Sequence, residues 1–333
     1  MAERPRVFVT RTLPGGDAPG SPMGRLRAAT DLDVWEGADP PSAAAFRERV
    51  AACVGTIVTI TERIDDEALD AAPGLRVVAN LAVGYDNIDV PACSARGVLV
   101  TNAPGANDEA TADLAFALLL ASARRVVEGE RAVREGTWGP WQPLWMVGQR
   151  VGGATLGIVG PGKVAAAVAR RAQGFGMHVL YHGRREVPGF PGQRAPLHEL
   201  LAGADFVSVH VPLTTDTAGL CDAAFFRTMK RTATFVNTSR GPVVDQDALI
   251  EALRSGTIAA AALDVTTPEP LPRDHPLLRA PNLTITPHVG GATLEARTRL
   301  AELAVDGLLG VLRGEHPHHV LNPEAMSADR SAR

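Results

Sequence analysis

Residues 156–165 have the sequence LGIVGPGKVA, and this stretch decides the fold of the chain. The apolar run at 154–159 predicts a buried parallel strand, and residues 164–172 predict a helix that follows a tight turn. A second apolar run, at 177–181, comes after that helix. Strand, turn, helix and strand in this order predict a dinucleotide-binding unit, because the turn carries the G-x-G-x-x-A spacing.

Each position of this spacing has a physical reason. Gly160 makes the tight turn, Gly162 lets the backbone approach a pyrophosphate, and Ala165 is small enough for close packing of helix against strand. The helix N–H groups and the positive end of the helix dipole then hold the pyrophosphate. Pro161 departs from the usual pattern, since it removes one N–H that could face phosphate.

The residues after the second strand indicate which dinucleotide is bound. Asp or Glu about 20 residues past the glycines usually meets a free ribose 2′-hydroxyl, whereas Arg accommodates a 2′-phosphate. Here Gly183 is followed by Arg184 and Arg185, and the first acid is Glu186. A guanidinium can hold a phosphate through two hydrogen bonds. The sequence therefore favours NADP(H) over NAD(H), the alternative being two solvated surface arginines.

Length and composition limit the classes to which the protein could belong. The chain has 333 residues, of which 45% are hydrophobic and 21% charged, and a formal net charge of −4. The length predicts two domains, and the charge gives no reason to expect nucleic acid or a membrane as partner. We expect a cytoplasmic protein, since no signal peptide is evident and Cys53, Cys93 and Cys221 lack disulfide or metal-site spacing.

Apolar runs alternate with helical patterns along the chain. In the first hundred residues the predicted strands are 6–10, 55–60, 76–81 and 98–101. After the glycine motif they are 206–211, 234–237, 259–265 and 283–286. This alternation predicts an α/β fold with two doubly wound sheets. Ligands of such sheets bind at the carboxyl ends of the strands.

Residues 107–145 link the two sheet units. The helix predicted at 109–123 is apolar on most of its faces, which indicates burial. The loop WGPWQPLW at 138–145 holds three of the four tryptophans. This loop is either part of a core or an interface arm, because tryptophan is favoured at interface anchors.

Three loops that follow predicted strands each carry one residue that carbonyl reduction requires. They present Arg240 in NTSRG, Glu269 in DVTTPEP and His288 in TPHVGG. Reduction of a 2-oxo acid needs a cation for the carboxylate and ketone, an acid that protonates the oxygen, and a carboxylate that keeps this acid protonated. Arg, His and Glu fill these roles in that order, although each residue alone is more often an ordinary surface or turn residue.

His288 is the strongest histidine candidate for the proton donor, because a carboxylate partner such as Glu269 favours the imidazolium form. His210, at a strand end, is its one rival. The pair Gly290-Gly291 beside His288 leaves backbone room for a nicotinamide, and His210 has no such pair beside it. The other histidines are expected at the surface. Three of them are expected in a mobile polar tail, namely His316, His318 and His319.

These motifs, together with VGYDNID at 83–89 and PHVGGAT at 287–293, resemble those of the D-isomer-specific 2-hydroxyacid dehydrogenases over nearly the entire chain. Within that family, YHGR at 181–184, WQPLW at 141–145 and PEPLP at 268–272 are most similar to the glyoxylate/hydroxypyruvate reductases. The resemblance implies NADPH-dependent reduction of glyoxylate to glycolate and of hydroxypyruvate to D-glycerate.

The resemblance also assigns roles to residues. It implies His288 as proton donor, Glu269 as its partner and Arg240 as substrate anchor. The backbone amides of Val83 and Gly84 would bind the substrate carboxylate. The residues implied in cofactor binding are Thr111, Gly160, Pro161, Gly162, Lys163, Val164, Gly183, Arg184, Arg185, Val211, Pro212, Thr217, Thr238, Ser239, Asp264, His288 and Gly290. No metal site is implied.

Domain organisation and assembly are further implications of the resemblance. A flavodoxin-like substrate-binding domain would be discontinuous, at residues 1–103 and 291–333, around an inserted Rossmann domain at 104–290. The chain would form a homodimer through residues of about 105–150, with the tryptophan loop reaching toward the partner's active site. One departure is Lys163, which stands where the family usually has arginine and offers a point charge instead of a fork.

Three other functions stay open at this point. A D-2-hydroxyacid dehydrogenase for larger or branched 2-oxo acids would use the same three residues. So would a phosphite dehydrogenase, although that enzyme has a lysine where this chain has Val83. A co-repressor-like protein that senses NAD(P) shares the fold, but no long disordered interaction tail is expected here.

Overall fold

The computed structural model describes residues 4–326. The chain forms two compact units, and we describe each by itself. The first unit ends at Asn107 and resumes at Ala292, and the second spans Asp108–Gly291. The chain start and the last residues of the predicted polar tail lie outside the described residues. Every helix within residues 4–326 is too short or too polar to span a lipid bilayer.

The first unit contains a parallel five-stranded sheet in the order β2-β1-β3-β4-β5. Its elements up to Asn107 are β1 (Arg6–Val9), α1 (Pro22–Ala29), β2 (Asp31–Val34), α2 (Ala43–Val50), β3 (Gly55–Val58), α3 (Asp66–Asp70), β4 (Val77–Asn80), α4 (Val90–Ala95) and β5 (Leu99–Thr101). Four of the strands coincide with predicted apolar runs. The sequence pattern missed β2, because this edge strand alternates aspartate with apolar residues and is only partly buried.

The second unit contains a parallel seven-stranded sheet. Its elements are α5 (Asp108–Ala123), α6 (Val126–Arg134), β6 (Thr155–Val159), α7 (Lys163–Gly174), β7 (His178–His182), β8 (Gln193–Arg194), α8 (Leu197–Gly203), β9 (Phe206–Val209), α9 (Ala223–Thr228), β10 (Thr234–Asn237), α10 (Gln246–Arg254), β11 (Ala260–Leu263) and β12 (Leu283–Ile285). The strand order is β12-β11-β10-β9-β6-β7-β8, so the order reverses between β6 and β9. Such a switch point is where doubly wound sheets bind ligands.

The helix predicted to be buried is α5. It packs against α7 and against β10 and β11, and half of its residues are buried, among them Phe116 and Leu119. Arg171 of α7 pairs with Asp113 at 2.6 Å and with Glu109 at 2.9 Å. The second unit therefore has a core on this face of the sheet that joins α5 and α7 to the strands.

The chain returns to the first unit with α11 (Leu294–Leu312), which packs on β3, β4 and β5. The predicted mobile tail is wrong for the described residues that follow. Val320 bridges Thr101, and the buried Asn322 accepts from the Val100 N–H at 2.8 Å and donates to the Val98 carbonyl at 2.9 Å. A buried amide with both groups paired fixes this segment to the sheet edge.

Candidate active site

The three candidate catalytic residues follow three neighbouring strands of the second unit. Arg240 comes after β10, Glu269 after β11 and His288 after β12. These strands are parallel and adjacent in the sheet. Their carboxyl ends therefore meet at one edge, which brings together loops that are far apart in the sequence.

His288 and Glu269 form a hydrogen-bonded pair. Nδ1 of His288 lies 2.7 Å from Oε2 of Glu269, and the two side chains are 28% and 33% exposed. Oε1 of Glu269 accepts a hydrogen bond from the Thr266 N–H at 2.8 Å. Because Nδ1 is engaged, Nε2 is the ring nitrogen available to exchange a proton with a ligand.

The pKa of Glu269 is lower than that of an ordinary glutamate. Desolvation by burial acts to raise it, but the hydrogen bonds from His288 and from the Thr266 backbone outweigh this effect, helped by the charges of His288 and Arg240. Glu269 is thus held in its carboxylate form beside the imidazole.

Asp264, at the end of β11, holds the loop that carries His288. Its side chain is 2% exposed. Oδ1 accepts from Thr286 Oγ1 at 2.6 Å and from the Val289 N–H at 2.9 Å, and Oδ2 accepts from the Gly290 N–H at 2.8 Å. The backbone of His288 has a φ of 54°, and its N–H donates to the Asp264 carbonyl at 2.8 Å. This left-handed backbone is stable because the buried carboxylate binds the residues around it.

The loop that carries Arg240 is held by a buried asparagine. Nδ2 of Asn237 donates to the Arg240 carbonyl at 3.0 Å, and Oδ1 accepts from the Ser239 N–H at 2.9 Å. At Gly241 a β-carbon would lie 1.9 Å from the Thr266 carbonyl oxygen. Only glycine therefore lets this loop approach the loop that carries Glu269.

His210 does not compete with His288. Its Nε2 lies 2.8 Å from Ser208 Oγ, and burial lowers the pKa of His210 to about 4. A neutral imidazole bound to a hydroxyl is not a proton donor for catalysis near neutral pH.

The glycine motif has the shape that a dinucleotide pyrophosphate requires. Gly160 has a φ of 93°, and a β-carbon there would lie 2.7 Å from Val211 Cγ1. A β-carbon at Gly162 would meet no heavy atom within 4 Å. Helix α7 begins at Lys163 without a side-chain cap, so its first N–H groups are not covered by a capping side chain. Open space in front of an uncapped helix N-terminus fits a phosphate group.

Pro161, the departure in the motif, is accommodated by Gly183. A β-carbon on Gly183 would lie 2.6 Å from Cδ of Pro161, so glycine is required opposite the ring.

At the end of β10, Thr238 Oγ1 is buried and has no hydrogen-bond partner within residues 4–326. A buried hydroxyl without a partner is costly unless a ligand supplies one. These features fit a bound dinucleotide.

Arg184 and Arg185 are exposed after β7, and no carboxylate separates them from Gly183. A third arginine, which sequence reasoning missed, lies at the same place: Nη2 of Arg194 is 3.3 Å from the Gly183 carbonyl oxygen. Arg194 stands on β8, which pairs in parallel with β7. A strand of two residues has no detectable sequence pattern, so only the pairing reveals this cation.

Other predicted cofactor residues lie in the second unit with protein contacts of their own. Thr217 Oγ1 accepts from the Thr214 N–H at 2.8 Å and donates to the Pro212 carbonyl at 2.6 Å. A β-carbon at Gly290 would lie 3.3 Å from Thr111 Cγ2. The cofactor contacts predicted for these residues, and for Val164, Ser239 and Asp264, stay predictions.

Val83 and Gly84 lie in the first unit, in the loop after β4. Their carbonyl oxygens accept hydrogen bonds from two asparagine side chains, Asn102 at 2.8 Å and Asn80 at 2.7 Å. Sequence reasoning missed both asparagines. The signal that could have revealed them is a polar residue at the end of each of two buried strands.

We expect the substitution Glu269→Gln to lower the free energy of unfolding at neutral pH but not in acid. The ionised carboxylate stabilises the fold above about pH 4.3, the pKa of an unfolded glutamate, and this contribution is lost as the pH falls through the lower folded-state pKa. Urea unfolding of both proteins between about pH 7 and about pH 3 should show a stability difference that shrinks in acid. Glu199→Gln, at an exposed position of α8, is the control. A difference that is constant with pH would contradict the role of the paired carboxylate.

Comparison with known proteins identifies the family. Residues 116–290 match the model of the D-isomer specific 2-hydroxyacid dehydrogenase, NAD binding domain. The chain is 48% identical to a glyoxylate reductase of Korarchaeum cryptofilum, over 97% of each protein. It is 43% identical to the glyoxylate reductase/hydroxypyruvate reductase of Mus musculus, over 93% of this chain and 95% of that protein.

A solved structure gives the same result at the level of the fold. The NADPH-dependent glyoxylate/hydroxypyruvate reductase of Sinorhizobium meliloti, in complex with NADP and malonate, superimposes with a TM-score of 0.82 at 32% identity, covering 96% of this chain and 97% of that one. The family resemblance found in the motifs is thereby confirmed. The glycine motif, the three strand-end loops and these matches lead to one conclusion: the chain belongs to the D-isomer-specific 2-hydroxyacid dehydrogenases.

Proposed function

We propose that this protein reduces small 2-oxo acids, glyoxylate and hydroxypyruvate, to glycolate and D-glycerate with NADPH. The observation that carries the proposal is the His288–Glu269 pair at 2.7 Å, which lies at the same sheet edge as the loop of Arg240. An acid held by a carboxylate next to a guanidinium is the chemistry that ketone reduction needs.

Each group has a defined task in the proposed reaction. The reduced nicotinamide supplies the hydride that C2 of the substrate receives. His288 gives the proton on Nε2 to the ketone oxygen, and Glu269 stabilises the imidazolium before this transfer. Arg240 binds the substrate carboxylate and polarises the ketone. The N–H groups of Val83 and Gly84 bind the carboxylate as well.

The choice of small 2-oxo acids is supported by the relatives. The proteins from Korarchaeum cryptofilum and Mus musculus are named as glyoxylate reductases, and the second also as a hydroxypyruvate reductase. A chain that is 48% and 43% identical to them and carries Arg240, Glu269 and His288 after three neighbouring strands is suited to the same substrate class.

The preference for NADP(H) rests on the charges after β7. A 2′-phosphate is held by guanidinium groups and repelled by carboxylates. The loop offers exposed Arg184 and Arg185, and Arg194 lies against its backbone. The only acid in this loop, Glu186, comes after both arginines.

We further propose a homodimer that forms through residues of about 105–150. The tryptophan loop is not part of a core in the chain: Trp141 is 84% exposed and Leu144 88%. Trp138, Val133 and Val147 add exposed apolar surface in the same segment. Exposed apolar side chains concentrated in one segment favour an interaction site, and tryptophan is a favoured anchor in such sites.

The proposed location is the cytoplasm. Cys53, Cys93 and Cys221 are all buried and free. Burial raises the pKa of Cys53 to about 11 and that of Cys93 to about 12, so both remain unreactive thiols. Free structural thiols are usual in a reducing compartment.

The reaction is tested by following NADPH absorbance with glyoxylate, hydroxypyruvate and pyruvate. We expect His288→Ala to lower kcat by about 10²- to 10⁴-fold, as for the loss of a general acid, with NADPH affinity unchanged. Arg240→Ala should raise the KM for the oxo acid. His198→Ala, at an exposed histidine of α8, is the control. Turnover retained by His288→Ala would refute the mechanism, and turnover of phosphite in place of oxo acids would refute the substrate class.

Cofactor preference is tested by comparing kcat/KM for NADPH and NADH. We expect the wild-type protein to prefer NADPH, and Arg184→Ala and Arg185→Ala each to reduce this preference by about tenfold or more, because each removes a charge-assisted hydrogen bond to phosphate. Arg170→Ala is the control, since Arg170 pairs with Glu109 at 2.5 Å. A wild-type preference for NADH would show that the two arginines are solvated surface residues.

Assembly is tested by sedimentation at micromolar protein concentration. We expect the wild-type protein to sediment as a dimer and the double substitution Trp141→Ser and Leu144→Ser to shift it toward monomer, because hot-spot residues each contribute about 2 kcal/mol or more. Leu294→Ser removes an exposed leucine outside this segment and is the control. A wild-type monomer would contradict the proposed assembly.

A further inference from the structure

The loop after β4 has an unusual run of paired carbonyl groups. The three consecutive carbonyl oxygens of residues 82–84 all accept hydrogen bonds. Their donors are, in order, the N–H of Ala103 at 3.0 Å, Nδ2 of Asn102 at 2.8 Å and Nδ2 of Asn80 at 2.7 Å. All three donors come from the carboxyl ends of β4 and β5.

The parallel register explains why these donors lie together. Ala79 of β4 pairs with Thr101 of β5, so Asn80 and Asn102 are the next residues on two neighbouring strands. Asn80 is 0% exposed and Asn102 7%. A buried side-chain amide keeps a fixed orientation, since no water is present to replace a broken hydrogen bond.

Fixed carbonyl groups also fix the N–H groups of the loop. The peptide bonds here are trans, and in a planar trans peptide the N–H points opposite to the carbonyl group. The bonds to residues 82–84 therefore set the directions of the N–H groups of Val83, Gly84 and Tyr85. Within residues 4–326 none of these three N–H groups has a protein acceptor. Tyr85 itself is exposed.

We propose that Asn80 and Asn102 are positioning residues that direct three successive N–H groups, including that of Tyr85, toward the carboxylate of the substrate. Successive N–H groups that face one way form an anion-binding concavity. A carboxylate has two oxygens with about four lone-pair sites, enough for three donors. The inference rests on the proposed function, and it adds the Tyr85 donor and the two asparagines to that site.

The test removes one positioning bond and keeps the side-chain size. Asn102→Leu has no N–H to donate to the Val83 carbonyl. We expect it to raise the KM for glyoxylate and the inhibition constant of oxamate by about tenfold, the effect of one lost hydrogen bond to a charged ligand. The KM for NADPH should not change, and kcat should change less than the KM for glyoxylate, because binding to the carboxylate is present before and during reduction.

The matched control is Asn322→Leu, which removes another buried asparagine of the first unit that bonds Val98 and Val100 and makes no bond to residues 82–84. It should lower the thermal midpoint and leave oxamate inhibition unchanged. If Asn102→Leu does not fold, Asn102→Ser, which is smaller and cannot reach the Val83 carbonyl, should show the same loss of oxamate affinity.

Two outcomes would overturn the inference: an unaltered oxamate inhibition constant in the folded Asn102 variant, or an equal rise in the Asn322 control. Failure of the proposed function looks different. In that case the wild-type protein reduces no 2-oxo acid with either nicotinamide cofactor, whereas failure of the positioning role leaves an active wild-type enzyme and an equally active Asn102 variant.

Discussion

A single buried carboxylate, that of Asp264, determines the geometry of the candidate active site. It is buried at the end of β11 and accepts three hydrogen bonds, all from the segment between Thr286 and Gly290. A buried charge must be paired in this way, because an unpaired one would cost several kcal/mol. The bonds hold His288 in a left-handed conformation and place Nδ1 against Glu269. The lowered pKa of Glu269 follows from this placement.

Both units hold loops at the carboxyl ends of their strands by the same physical rule. A buried polar side chain at the carboxyl end of a strand binds the backbone of the loop that follows this strand or its neighbour in the sheet. Asn237 does so for the loop of Arg240, and Asn80 and Asn102 do so for the loop of Val83 and Gly84. Loops alone are mobile, so ligand-binding groups gain precision when the rigid sheet supplies their hydrogen bonds.

Much of the fold was predictable because buried parallel strands are continuous apolar runs. The strands β6, β9, β10 and β11 were found from such runs, and so was the glycine turn at Gly160. Elements whose residues are polar or few were not found, as in β2 and β8. The predicted mobile tail was wrong because the bonds of Asn322 join residues distant in the sequence, and no local pattern reports such contacts.

By itself, the sequence determined the two α/β units, the glycine turn with its small-residue positions, and the residue types that reduction requires, since these depend on local spacing and on side-chain chemistry. Tertiary structure alone decided that Glu269 pairs with His288, that Asp264 binds the histidine loop, that the pKa of His210 is lowered, and that Arg194 lies beside Gly183. The first two depend on strands that are neighbours in the sheet but separated in the chain by a loop and further residues. Hydrogen bonds and burial depend on which residues the fold brings into contact, and the spacing of residues in the sequence does not show these contacts.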